Sequence, residues 1–315
     1  VQRYVVRRLI MAVGIVWLIS VAVFVLLRVS PGDPALLQQG INATPEKVAQ
    51  VHRELGLDKP LIVQYADWLG QFVKGNLGRS VLSQSSVTHE FKSRFPISLE
   101  LMALTVAWVV VIGIPLGLVS AVRRNSGADY AVRLAAIIGL SVPAFWVATL
   151  VLMIPAQLWG YAPALGIQIS LFQDPSGNLR QFVPASLVLA LGPIASIMRL
   201  TRSSLLEVLR QDYVRTARAK GLREQVVIWR HALKNSLVPV VTVLGLLVGG
   251  LLGGSIIIEQ IFALRGIGQY IFTSLLQKDF PVAQSLVMYT ATAVVLINLA
   301  VDVFYAVLDP RIRYS

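Results

Sequence analysis

Six stretches of this sequence are apolar for long enough to cross a bilayer as helices: residues 9–27, 98–122, 132–156, 184–198, 237–258 and 284–308. A hydrocarbon core about 30 Å thick asks for about 20 such residues per helix. The fourth stretch is the shortest by strict hydropathy and continues through Leu200. The sixth contains Asp302. A mid-membrane Asp costs roughly 2.5 to 3.5 kcal/mol, whereas each Leu, Ile, Phe or Val contributes about −0.3 to −0.6. Twelve such residues accompany Asp302, which lies toward one end, so the span survives. With 56% of its residues hydrophobic and 14% charged, the chain is too apolar for an ordinary soluble domain. The fold class that follows is all-α, a polytopic membrane protein with six transmembrane helices.

The chain divides into an N-terminal transmembrane helix (1–27), a helical insertion (28–95) and a five-helix core (96–315) with one long basic loop at 199–236. The first apolar run follows Arg3, Arg7 and Arg8 and precedes no small-residue cleavage pattern, so it reads as a retained helix. In the insertion, "RVSPGDPALLQQG" ends that helix with two prolines and two glycines. Thr44 then reads as an N-cap with Pro45 at the first helical position and Glu46 in the first turn. Val48, Val51 and Leu55 share a face, and Gly56 supplies a stop. A second short helix follows Pro60, with Leu61, Ile62, Tyr65, Trp68, Leu69 and Phe72 on one broad stripe that marks a packing or interfacial face. Within the spans, Pro115, Pro143, Pro155, Pro193 and Pro239 interrupt helical hydrogen bonding as kinks or hinges. Gly245, Gly249 and Gly253, with Gly250 and Gly254 alongside, predict close packing of the fifth span.

Orientation follows from Lys and Arg in the short loops. With the N-terminus inside, 17 of the 28 Lys and Arg residues fall on the cytoplasmic side, and eight of the other eleven lie in the insertion. Long segments translocate largely regardless of charge. Both termini are therefore expected in the cytoplasm. The net charge of +12 flanks membrane spans and carries no nucleic-acid module, so nucleic acid is not an expected partner.

Catalytic readings are weak. His52, His89 and His231 lie outside the spans, which excludes an intramembrane HExxH metal site, and no metal site is expected. No Gly-Lys dipeptide exists to build a phosphate-cradling GxxxxGK[ST] loop, so ATP hydrolysis falls to another chain. There is no GxSxG nucleophile elbow. With no cysteine, disulfides and thiolate metal sites are unavailable and the redox compartment is open. A transport subunit with an external motor and a membrane scaffold or receptor both fit these features.

The basic loop separates them. From Gln211 it reads as a short amphipathic helix, with Asp212 in its first turn, basic residues later and Gly221 as its stop. It resembles the E-A-A…Gly signature of ABC importer permeases. Setting Gly221 on the signature glycine puts Arg215, Thr216 and Ala217 at the E-A-A positions and His231 to Asn235 on the downstream I-x-L-P-N. Ala217, Gly221, Leu233 and Asn235 match. "DYVRTARAKGL" and "RHALKNSLVPVVT" resemble the B-type permeases of the dipeptide, oligopeptide and nickel importers, as do "RRLI" with "PGDPA", "EQIFALRGIGQYIFTSLLQKDFP" and "DVFYAVLDPRIRYS". Arg265 departs from the pattern where the family often has Pro.

The resemblance implies a type I ABC importer permease fold with the 28–95 insertion extracytoplasmic, set in the bacterial cytoplasmic (inner) membrane and working by alternating access. Its implied partners are a second, homologous permease, two cytoplasmic ABC ATPase subunits and an extracytoplasmic solute-binding protein, with ATP and Mg on the ATPases and no cofactor on this chain. Di- or oligopeptides are the favoured cargo, with nickel complexes or other small solutes as the alternative. The implied coupling loop comprises Asp212, Tyr213, Arg215, Thr216, Ala217, Arg218, Lys220 and Gly221, the small residues allowing close docking and the basic ones meeting acidic rims. Glu259, Phe262, Gly266, Gly268, Asp279 and Pro281 mark an extracytoplasmic hairpin that contacts the binding protein, closes the pore or is purely structural. Asn298 and Asp302 are pathway candidates, with capping near the interface as the simpler account of Asp302.

Overall fold

The structure, a computed structural model, describes residues 2–29, 44–54, 56–161 and 166–308. Leu55, the PGDPA motif and the final DPRIRYS therefore lie outside the described residues. Five described helices are long and apolar enough to cross a membrane: Val5–Val29, Val87–Val122, Pro175–Val208, Glu224–Gly253 and Phe280–Val303. A bent pair, Gly127–Ser141 with Ala144–Trp159, makes six if the two helices cross as one span. The chain forms two compact units, Val1–Ser98 with Arg265–Ser315, and Leu99–Leu264.

In the first unit α1 (Gln2–Val29) packs along the last helix, while α2 (Pro45–Glu54) and α3 (Leu61–Val73) belong to the insertion. The face of α3 is narrower than the sequence suggests. Tyr65 and Trp68 pack on Phe24 of α1, with Tyr65 hydrogen bonded to Ser20 at 2.7 Å, whereas Leu61 and Ile62 stay exposed. Gly56 ends α2 in the left-handed region (φ 64°) that glycine favours. Beyond α3 the loop folds inward through Leu77 and Val81. Leu77 and Val87, the first residue of α4 (Val87–Trp108), join Ile267 and Ile271 of α12 (Ile267–Leu276) and Val282 and Leu286 of α13 (Phe280–Leu308) in one core. Polar fasteners reinforce it. The buried carboxylate of Asp279 accepts from the Ser80 hydroxyl and from the Val81 N–H at 3.1 Å, and Ser285 donates to the Leu77 carbonyl at 2.8 Å.

In the second unit α8 (Pro175–Val208) is the central, most buried element, flanked by α5 (Ile114–Val122), α6 (Gly127–Ser141), α7 (Ala144–Trp159) and α10 (Leu233–Gly254). At about 1.5 Å per residue its 34 residues reach roughly 51 Å, well past a hydrocarbon core. This exceeds the apolar stretch 184–198 at both ends. Asp174 starts the helix by accepting from the Gly177 N–H at 3.0 Å, with Pro175 at the first turn. A wide π-type turn at Val109–Gly113 precedes α5. Pro115 explains it, because the ring lacks an N–H and displaces the carbonyl four residues back, on Val111.

The expected span 132–156 is not one continuous helix. It is two helices, α6 and α7, meeting at 96°. Pro143 disfavours helical backbone at Val142, which is extended at φ −85°, ψ 124°. Close helix contact also falls elsewhere than expected. A Cβ on Gly117 would lie 2.6 Å from the Met198 carbonyl and 2.7 Å from Thr201, and one on Gly113 would crowd Ile197. Of the expected line Gly249 is buried, whereas Gly250 and Gly253 meet no neighbour within 4 Å. Gly113 and Gly117, together with Gly139 beside the Leu191 carbonyl, thus make close small-residue contacts with α8.

Candidate functional site

Between the end of α8 at Val208 and the next candidate span, which starts at Glu224, lies a connection shorter than the loop 199–236 assigned from sequence. Its centre is α9 (Asp212–Ala219). Gln211 enters in extended conformation, and Asp212 places its charge at the positive N-terminal end. Lys220 follows the last turn, and Gly221 adopts φ 78°, the left-handed conformation that stops a helix. Val214 and Ala217 face inward on Val208, Leu209 and Val227. That buried seam orients the whole helix.

Two readings of the loop change as a result. Ala217 is buried beneath the helix, so the outward small residues are Ala219 and Gly221. Arg218 is committed within the chain: its guanidinium donates to both Glu224 oxygens at 2.7 and 3.1 Å and approaches the Leu209 carbonyl. The attraction of Glu224 raises the Arg218 pKa further above its already high value. Arg215, Thr216 and Lys220 remain exposed, with Arg215 making only a solvent-exposed 3.5 Å contact to Asp212. Tyr213 acts as a strut, its hydroxyl accepting from the Asn235 amide at 2.8 Å. Leu222, Val226 and Trp229 are also exposed in this region, an apolar contribution that a search for basic and small residues overlooks.

A second feature that sequence reasoning missed fastens the neighbouring helices. The Asp129 side chain is fully buried and takes a two-pronged hydrogen bond from Arg202 at 2.8 and 2.9 Å. The Ser120 hydroxyl donates to the same carboxylate at 2.6 Å, and the Asn125 N–H donates at 3.0 Å. Every strong acceptor direction is used. The legible signal was Ser126, which caps α6 through the Asp129 N–H. In the sequence Arg202 falls within the basic loop 199–236 and reads only as loop charge.

The residues marked from Glu259 to Pro281 separate into two groups. In the second unit, Glu259 on α11 (Ile256–Ile261) and Phe262 just after it are buried, Glu259 accepting from Ser255 at 3.0 Å within the chain, so neither offers a docking surface. In the first unit, Gly266 and buried Gly268 open α12, and Asp279 holds the insertion loop. Pro281 lies in the first turn of α13. The exposed groups of this unit's segment are instead Arg265, Phe272, Leu275, Leu276 and Gln277. Tyr270 turns inward beneath the Arg94 guanidinium, 4.4 Å from the ring centroid. Burial pushes its phenol up to about 12, with Asp279 and Glu90 acting in the same direction. Asp302 pairs with Arg8 at 3.2 Å, while Asn298 is half-buried on the same helix. Among the described residues no cluster of His, Asp or Glu has the composition to hold a metal.

Comparison with known proteins accounts for the chain almost end to end. Residues 113–314 match the model of the binding-protein-dependent transport system inner membrane component, and residues 1–102 match the N-terminal model of the same membrane components. The dipeptide transport system permease protein of Alkalihalophilus pseudofirmus is 38% identical over 330 residues, covering 99% of each chain. The di/tripeptide transport system permease protein of Pseudomonas aeruginosa is 37% identical over 332 residues at the same coverage. A crystal structure of an amino acid ABC transporter with histidines shares the fold, with a TM-score of 0.50, 16% identity, and coverage of 71% of this chain and 95% of that one. The chain therefore belongs to the family of binding-protein-dependent transport system inner membrane components.

Proposed function

We propose that this chain is the permease of an importer for di- or oligopeptides, moving them by alternating access while ATP is hydrolysed on separate subunits. The observation that carries the cargo is end-to-end similarity to two permeases named for dipeptides and di/tripeptides. Two cytoplasmic ATPases with ATP and Mg, a homologous second permease and an extracytoplasmic solute-binding protein complete the assembly. The ATPase seat is the outward side of α9, where Asp212, Tyr213, Arg215, Thr216, Lys220 and Gly221 are exposed around a helix held from beneath. Fixing the helix by buried Val214 and Ala217 lets force reach the span helices without bending the loop. The open small-residue line at Gly250 and Gly253 is the contact offered to the second permease. On the insertion side, Phe272, Leu275 and Leu276 form the apolar contact for the binding protein.

The test is reconstitution of all subunits in liposomes and measurement of radiolabelled dipeptide uptake with and without internal ATP. Uptake that requires ATP and the binding protein is expected. Uptake of a nickel complex with no transport of di- or oligopeptides would overturn the peptide assignment.

A further inference from the structure

The first unit contains a cavity of about 500 Å³ at the junction of the insertion with α1 and α13. Arg28, in the last turn of α1, and Gln284, in the second turn of α13, both line it. At the other ends of the same two helices, Arg8 pairs with Asp302. The helices are thus antiparallel, and the 20 positions between Arg8 and Arg28 rise about 30 Å, one hydrocarbon thickness. That puts the cavity at a membrane–water interface.

Its lining has more cations than counter-charges and more polar atoms than hydrogen-bond partners. Four lining side chains have a buried polar atom with no partner: Arg28 Nε, Trp68 Nε1 and Gln284 Nε2 as donors, and Gln64 Oε1 as an acceptor. Gln64 and Gln284 are more than nine-tenths buried. Such orphaned groups are costly unless something satisfies them. The charge is also one-sided. Lys59 is neutralised by Asp67 at 2.9 Å, but Arg28, Arg53 and Arg79 have no carboxylate partner among the described residues. Exposed apolar side chains flank lining residues in sequence, Leu26 and Val29 around Arg28 on α1 and Leu61 and Ile62 between Lys59 and Gln64 on α3. Donors and cations flanked by exposed apolar side chains at an interface match a phosphodiester with attached acyl chains.

We propose that this cavity is a binding site for the headgroup of an anionic phospholipid, its phosphate held by Arg28, Arg79, Trp68 and Gln284 while the acyl chains lie along α1 and α3. The Gln64 oxygen accepts from a hydroxyl of the headgroup. The lipid joins the insertion to α1 and α13, where direct hydrogen bonds leave these groups unpaired.

The full transporter, purified in detergent and stripped of lipid, is titrated with dioleoylphosphatidylglycerol and followed by native mass spectrometry. Dioleoylphosphatidylcholine, inorganic phosphate and the dipeptide Ala-Ala serve as competing probes. Saturable binding of phosphatidylglycerol is expected, weakened about tenfold by either Arg79→Gln or Gln284→Leu, the scale of one charge-assisted or buried hydrogen bond. Phosphatidylcholine should bind at least roughly tenfold more weakly in the wild type, lacking net negative charge. Gln284→Leu should also raise the melting temperature of the lipid-free protein, because it removes an unpaired buried amide. A purely packing role would give no opposed changes in affinity and stability. Unchanged phosphatidylglycerol affinity in both variants overturns the proposal. So does displacement of the lipid by inorganic phosphate at equal affinity, which assigns a free oxyanion, or by Ala-Ala, which assigns a peptide carboxylate.

Discussion

The contrast between Arg202 and Arg215 shows how little a charge says before its partner is known. Both belong to the same basic excess in the sequence. Arg202 makes a forked bond to a fully buried carboxylate, while Arg215 reaches Asp212 across solvent at 3.5 Å. Removing one member of a buried pair leaves the other charge stranded and typically costs about 3 to 5 kcal/mol, whereas an exposed pair is worth about 0 to 1. Asp129→Asn is therefore expected to destabilise the protein by about 3 kcal/mol, and Arg215→Ala by under about 1. Thermal unfolding of both variants in the same detergent measures the difference. Equal melting temperatures would show that the buried Asp129–Arg202 pair contributes no more to stability than the exposed Asp212–Arg215 contact. The paired substitution Asp129→Leu with Arg202→Met should recover much of the loss, since an apolar pair leaves no stranded charge.

At the scale of elements, six apolar stretches were legible because hydrophobic length is local information. The bend between α6 and α7 was half legible. Pro143 announced an interruption, but the 96° angle comes from tertiary packing that no local pattern records. Glycine spacing misled for the same reason, since it marks permissible contacts without naming the partner. The actual close approach uses Gly117, where an added Cβ must displace the Met198 backbone. Gly117→Ala should cost about 1 to 3 kcal/mol, the scale of overpacking, while Gly250→Ala in the isolated chain should be neutral. Loss of assembly with the second permease in Gly250→Ala would confirm that its open face is an interface; unchanged assembly would remove it from the proposed contact. In the loop, the stop at Gly221 was legible, but the inward turn of Ala217 and the Arg218–Glu224 pair were not. Gly221 has open space but left-handed backbone. A side chain there is strained by roughly 1 to 2 kcal/mol, with Asn the least affected. Gly221→Asn should retain more ATP-driven uptake than Gly221→Ala, and Gly221→Trp should abolish uptake while membrane insertion persists. Full uptake in Gly221→Trp would end the assignment of α9 as an ATPase seat.

For the whole molecule, the direction in which the chain threads the membrane decides every partner assignment. An ATPase seat on α9 requires that loop to face the cytoplasm, and the binding-protein contact requires the insertion to face away from it. An even number of spans also returns the C-terminus to the side of the N-terminus, where the short loops concentrate Lys and Arg. The chain has no cysteine, so single cysteines report position without background. Ser83, Ser176 and Ala219 are exposed and lie outside the candidate spans or, for Ser176, in the first turn of α8. In sealed, right-side-out membrane vesicles, an impermeant maleimide should label Ser83→Cys and Ser176→Cys but reach Ala219→Cys only after the vesicles are opened. If the bent α6–α7 pair did not cross, the membrane would be traversed five times. Ser83→Cys would then report one side, and Ser176→Cys and Ala219→Cys would no longer divide as stated. Labelling of Ala219→Cys in sealed vesicles would reverse the seat and exclude ATPase docking on α9. Labelling at Ser83 and Ser176 with protection at Ala219 supports a complete sixth span and puts the basic loop in the compartment that supplies ATP.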